Sequence, residues 1–130
     1  MLKESIKYVD YNGVERTEDF YFNLSKAEIA EMELEIPGGM TAMLERITAA
    51  QDTPTLVKIF KDLILRSYGE KSADGKRFIK SKELSEGFSQ TEAYSELFMK
   101  LATNAEAASN FVNGIMPKDL VEKAKQIEAK

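Results

Sequence analysis

The spacing of apolar positions changes character along this chain, from a strand-like run at the start to helical stripes after residue 24. Between Ser5 and Phe22, β-branched and aromatic residues gather on both sides of Asn12-Gly13, a dipeptide that accepts the positive backbone angles of a tight turn. Two antiparallel strands are predicted, roughly Lys3–Tyr11 and Val14–Asn23. A strict two-residue loop would set Lys7 opposite Glu18, which is favourable, and Asp10 opposite Glu15, where like charges repel; a bulge or longer loop can replace it. An isolated two-stranded ribbon is marginal in water, so it needs helices or another chain to cover it. Tyr8, Val9, Phe20 and Phe22 accordingly either cap a helical core or serve self-assembly through the hairpin edge.

Leu24-Ser25-Lys26-Ala27-Glu28-Ile29 carries a capping box, Ser25 with Glu28, and a hydrophobic staple, Leu24 with Ile29. The helix they open ends near Leu34 to Ile36, because Pro37-Gly38-Gly39 cannot continue it cheaply. Its glutamates Glu28, Glu31, Glu33 and Glu35 are spread around the axis, which fits a solvated face better than a metal site. Met40, Met43, Leu44 and Ile47 predict a short second helix to about Ala50, with the methionines either core or contact residues. Thr53 and Pro54 suit the cap and first position of a third helix striped by Leu56, Ile59, Phe60, Leu63 and Ile64 and stopped by Tyr68-Gly69. That helix is expected at the centre of the bundle.

From Glu70 to Lys80 the helical pattern lapses into an extended excursion turned by Asp74-Gly75 and followed by Lys76-Arg77-Phe78-Ile79-Lys80. No phosphate-loop pattern occurs there, so it reads as an exposed loop able to touch a partner. A short helix from Ser81 stops at Gly87. Ser89 and Glu92 then have capping-box spacing before the stripe Tyr94, Leu97, Phe98, Leu101, and Asn104 can cap a last core helix with Ala108, Phe111, Val112 and Ile115 inward. After Pro117, the segment with Leu120, Val121, Ala124 and Ile127 can pack, fray or fold on a partner. The expected fold class is mainly α: a compact bundle of about five to six helices with an N-terminal β-hairpin. A single domain is expected over residues 1–130, made of the hairpin (1–24), a helical core (25–117) and a helical tail (118–130) that can be mobile.

Composition narrows the chemistry. Hydrophobic residues make up 43% and charged residues 31%, enough apolar surface to offset chain entropy, so a folded domain is expected. The formal charge of −4 disfavours the broad phosphate neutralisation that nucleic-acid affinity needs, which leaves Lys76, Arg77, Lys80 and Lys82 as a local basic cluster. With no cysteine and no histidine, disulfides, thiolate nucleophiles, ordinary zinc sites and imidazole catalysis drop out. No Gly-x-Ser-x-Gly elbow occurs, and carboxylate spacing alone places no catalytic pair, so no catalytic residue, metal ligand or cofactor is expected. The chain lacks a basic segment leading into a long apolar run, and no stretch approaches the ~20 apolar residues of a membrane span, which predicts a cytoplasmic protein.

Several stretches, taken in order, resemble one family. They are Asp19-Phe20-Tyr21-Phe22-Asn23-Leu24-Ser25-Lys26-Ala27-Glu28, Ile59-Phe60-Lys61-Asp62, Tyr68-Gly69-Glu70-Lys71-Ser72, Asp74-Gly75-Lys76-Arg77-Phe78 and Phe88-Ser89-Gln90-Thr91-Glu92-Ala93-Tyr94. From the hairpin to about Pro117 the chain resembles the tail assembly chaperones of long-tailed bacteriophages and related prophages of Gram-positive hosts. The resemblance implies a non-enzymatic protein of the host cytoplasm that binds the tape measure protein, keeps it soluble, helps recruit tail tube subunits and is absent from the mature virion. A client with exposed apolar helix faces can be covered by a groove. The residues to test as partner contacts are Phe78, Ile79, Phe88, Tyr94, Phe98, Leu120 and Val121, with core packing the competing role for the regular stripe. Repeated copies along a client also need self-contacts, for which the hairpin edge is the candidate. A virion component such as a tail terminator or connector, and a helical DNA-binding regulator, are the alternatives.

Overall fold

The first hairpin sets the geometry of the whole molecule. In the computed structural model, which describes residues 1–39, 42, 43, 45 and 53–117, strand β1 (Leu2–Val9) pairs antiparallel with β2 (Glu15–Phe22). The register runs from Leu2 opposite Phe22 to Val9 opposite Glu15, so Lys7 faces Thr17 and not Glu18. Two contributions fix this. Leu2, Glu4, Ile6 and Tyr8 share one face with Phe20 and Phe22, whereas a one-residue slip would set Phe22 opposite the exposed Lys3. The turn agrees: Asp10 N–H donates to the Val14 carbonyl (2.9 Å), and Gly13, at φ 79°, closes a three-residue loop with Tyr11 and Asn12. The Asp10 carboxylate accepts from the Asn12 and Val14 N–H groups (2.9 and 3.0 Å) and from Arg16 Nε (2.6 Å). The repulsion expected from Glu15 is thereby replaced by a local ion pair.

Helices and the N-terminal hairpin expected from the sequence are present, but the hairpin does not stand alone, and the fold is mixed α/β rather than mainly α. Strands β3 (Tyr68–Lys71) and β4 (Phe78–Ile79) extend it to a four-stranded antiparallel sheet ordered β1-β2-β3-β4. β3 meets only the end of β2, through Tyr21–Gly69 and Phe22–Tyr68, and Asn23 N–H continues the contact to the Ser67 carbonyl at 2.7 Å. The excursion expected after Glu70 is therefore a hairpin, closed by Gly75 at φ 73° and by Asp74, whose carboxylate accepts from Ser72 Oγ (2.6 Å) and Lys76 N–H (3.0 Å).

Five helices are assigned among the described residues, α1 (Lys26–Glu35), α2 (Thr53–Ser67), α3 (Lys82–Ser89), α4 (Glu92–Thr103) and α5 (Ala105–Ile115). The Ser25–Glu28 capping box forms in both directions, and α1 gives way at Ile36 before Pro37-Gly38-Gly39. α2 buries Phe60, Leu63 and Ile64, and the fully buried Ser67 hydroxyl donates back to the Leu63 carbonyl (2.6 Å). Of the short helix expected around Met40 to Ala50, Met43 is buried; Met40, Leu44, Ile47 and Ala50 lie outside the described residues.

Thr53, expected as a cap, is already the first helical residue of α2, and two boundaries near residue 90 also differ from the sequence reading. α3 runs through Gly87 to Ser89, and the cap of α4 is Thr91, whose hydroxyl oxygen accepts from Tyr94 N–H (3.2 Å), not Ser89. A glycine inside a helix costs about 1 kcal/mol, while burying a phenylalanine returns about 1.5–3 kcal/mol. Continuing the helix by one residue carries Phe88 into the core at 3% exposure. The expected cap Asn104 is in place, accepting from Ala107 N–H at 3.0 Å.

The helices cover one face of the sheet. Gly114 of α5 packs so closely on Leu2 that a Cβ there would lie 2.8 Å from its Cδ1, and Leu24 N–H donates to the Ile115 carbonyl (2.8 Å). Lys3, Ser5, Lys7 and Val9 point to the opposite, uncovered face.

Candidate functional site

Aromatic packing separates the candidate contact residues into two groups. Phe88 sits among Phe20, Phe22, Tyr68 and Tyr94, with ring centroids 4.3–5.9 Å away. Phe22 is fully buried and also meets Phe111 edge-on at 5.4 Å. These two residues hold sheet and helices together and present no surface to a partner. Tyr8, Phe20, Tyr94 and Phe98 pack against the same core while staying partly accessible, Tyr94 and Phe98 as neighbours 6.0 Å apart on α4. Leu120 and Val121 lie outside the described residues.

The sheet's uncovered regions are more available. Because Asp10 and Val14 are a hydrogen-bonded pair, antiparallel alternation turns the N–H and C=O groups of Lys3, Ser5, Lys7 and Val9 toward the free edge of β1. No strand among the described residues pairs with that edge. The adjoining hairpin tip exposes Val9 (50%), Tyr11 (76%) and Val14 (50%), a small apolar cap on an otherwise charged ribbon.

On the other side, Phe78 and Ile79 are half-buried on β4. Gly69 makes their position possible, since a Cβ there would come within 2.7 Å of the Ile79 carbonyl and 2.8 Å of the Phe78 ring. The basic run is partly committed to structure. Lys80 donates its ammonium to the Asn23 carbonyl (2.5 Å) and to Glu28 (2.6 Å), clamping the end of β4 to the start of α1, and Lys82 pairs with Glu86 at 3.7 Å. Lys80 is thus removed from the cluster that a DNA-binding reading would use.

Electrostatics follow these contacts. Burial alone would raise the Glu28 carboxyl, but the bonds from Lys80 and from Ser25 outweigh it and hold the group below its usual range. Asp10 is lowered by its bond to Arg16, and Asp74 by its bond to Ser72. The Tyr8 phenol is raised because it donates to the Glu18 carboxylate, and Tyr68 is raised by burial and by the nearby charges of Glu70 and Glu18. Where β2 and β3 part company beyond Tyr21 and Gly69, a cleft of about 380 Å³ opens, with Phe20, Tyr21 and Tyr68 in its wall and three carboxylates, Glu18, Asp19 and Glu70, beside one ammonium, Lys71. The sequence carried no sign of this cleft, because it depends on how soon two strands stop pairing. Among the described residues, no group of three or more Asp or Glu is arranged to hold a metal ion.

The arrangement supports contact chemistry: an open strand edge, an apolar hairpin tip and an acidic cleft. In comparison with known protein families, residues 1–130 match the family described as phage tail assembly chaperone. Neither the curated proteins nor the solved structures include a match to the chain.

Proposed function

We propose that this chain, which belongs to the phage tail assembly chaperone family, binds the tape measure protein of a long-tailed phage or prophage of a Gram-positive host and keeps it soluble until the tail tube encloses it. On this reading it acts in the host cytoplasm without catalysing a reaction, helps recruit tail tube subunits, and leaves before the virion is complete. The observation that carries the reading is the family match across all 130 residues.

Its surface has the means for such a role. A tape measure protein awaiting its tube exposes apolar helix faces, which bind to partly apolar surfaces of the kind formed by Tyr94 and Phe98 or by the hairpin tip. Several copies are needed to cover a long client, and the free edge of β1 offers main-chain groups for contact between copies.

Co-expression with the long helical protein encoded in the same tail cluster tests the proposal. The expected result is a client that becomes soluble and copurifies with this chain; a client equally soluble alone, with no complex recovered, refutes it. Mass spectrometry of purified virions should find the chain absent, and its presence in stoichiometric amount would instead identify a virion component.

A further inference from the structure

The fork between β2 and β3 gathers polar groups that the described residues only partly pair. The two strands pair through Tyr21–Gly69 and Phe22–Tyr68 and then separate, because β3 turns away to form its hairpin with β4. Side chains alternate across a sheet, so Tyr68 and Glu70 from one strand, and Glu18 and Phe20 from the other, project to the same side of the resulting cleft.

Tyr68 is the telling residue. It is only 8% exposed, yet its hydroxyl has no hydrogen-bond partner among the described residues. No polar side-chain atom of the described residues is sealed from solvent without a partner, so this hydroxyl reaches the surface, and the surface that Tyr68 lines is the fork. Beside it Glu70 has no cation within ion-pair distance among the described residues. Glu18 accepts from Tyr8 and lies 4.0 Å from Arg16, leaving its charge incompletely neutralised at an exposed position. Lys71 also lines the cleft, but its ammonium is held over the Tyr21 ring, 4.3 Å from the centroid, and pairs with none of the carboxylates Glu18, Asp19 and Glu70 there.

We infer that this fork receives an arginine side chain carried by a tail-protein partner. A guanidinium is flat and has several donors. It can lie against the Phe20 or Tyr68 ring while donating to Glu70 and to the Tyr68 oxygen, a combination that an ammonium, as a point charge, matches less well. The inference rests on the reading that the chain binds other tail proteins, and it supplies the chemistry of one contact in that binding.

The test uses the intact chain and a defined probe, the blocked tripeptide acetyl-Val-Arg-Val-amide, followed in amide nitrogen–proton NMR spectra. Controls replace the arginine by citrulline, which keeps the shape without the charge, or by lysine. Saturable shifts confined to residues 18–21 and 68–71 are expected for the arginine peptide, with at least fivefold weaker binding for lysine and no saturation for citrulline. Glu70→Gln should weaken the arginine peptide at least fivefold, and Tyr68→Phe, which keeps the ring stacked on Phe88, should weaken it about threefold. Raising the salt concentration should weaken it as well. Equal shifts with citrulline, shifts centred elsewhere, or an unchanged affinity in Glu70→Gln would overturn the inference. If the chain captures its tail partner but ignores the peptide, the fork alone fails. If it captures no partner, the wider reading fails, and a charge-dependent response at the fork still supports the site.

Discussion

Tyr68 and Phe88 lie face to face, with ring centroids 4.3 Å apart and planes only 9° from parallel. Tyr68 is the first residue of β3 and Phe88 the penultimate residue of α3, so this one stack joins the late part of the sheet to the helical layer. Three further rings, Phe20, Phe22 and Tyr94, surround Phe88. Phe88→Ala should therefore destabilise the domain by about 3–5 kcal/mol, a large share of the 5–15 kcal/mol typical of a whole domain. Denaturant unfolding followed by circular dichroism measures this, and a loss below 1 kcal/mol would show that Phe88 is not central.

One residue earlier, Gly87 has the opposite character. It is helical, and a Cβ built on it meets nothing within 4 Å. Gly87→Ala should stabilise the protein by about 0.5–1 kcal/mol through helix propensity and a less disordered unfolded chain. Gly69→Ala should destabilise it, because the added carbon would press on the Ile79 carbonyl. Thermal melts of the two variants should move in opposite directions.

Glu28 gives the fold a defined response to acid. Its carboxyl titrates lower in the folded chain than in the unfolded one, so its contribution is complete above the unfolded value, about 4.3, and is lost as pH falls through the lower folded value. The Lys80 contact is part-buried and should contribute about 1 kcal/mol. Glu28→Gln should reduce stability at pH 7, and the gap to the wild type should narrow as pH falls below 4. A gap independent of pH would refute the assignment.

The two possible caps of α4 are separable by mutation. Thr91→Ala removes the oxygen that accepts from Tyr94 N–H and should cost about 1 kcal/mol. Ser89→Ala should cost less than 0.5 kcal/mol, since the Ser89 hydroxyl only donates to the Glu86 carbonyl at the exposed end of α3.

The proposed association through the edge of β1 can be blocked without damaging the hairpin. Lys7 turns its N–H away from β2, so Lys7→Pro removes no bond of the existing ladder but denies one to an incoming strand. The variant should remain folded and should lose self-association in sedimentation experiments. Wild-type assembly by this variant would exclude the β1 edge.

Local chemistry made much of this fold legible in the sequence, and long-range geometry accounts for what was missed. The Ser25–Glu28 box, the Asn104 cap and the Pro37-Gly38-Gly39 stop act within a few residues of one another, so their meaning survives without a structure. Strand β4 has two residues and β3 has four, too few for a period to show, and each is a strand only because the end of β2 is there to receive β3. The end of α3 was misjudged at Gly87 because the gain from burying Phe88 depends on Tyr68 and Phe22, which are remote in sequence. For the same reason Phe22 and Phe88 looked like possible contacts, while Tyr68, which shapes the fork, looked like a helix stop.

The pairing of Phe22 with Tyr68, Phe88 and Phe111 also fixes an order of events during synthesis. The β1–β2 hairpin leaves the ribosome first and can form within microseconds, but Phe111 and Ile115, which close over its apolar face, are translated last among the buried core residues described. At elongation rates of about 5–20 residues per second, the hairpin waits several seconds for its cover. A chain of the phage tail assembly chaperone family thus passes through its own interval of exposure, which ends only when the helix carrying Phe111 and Ile115 docks.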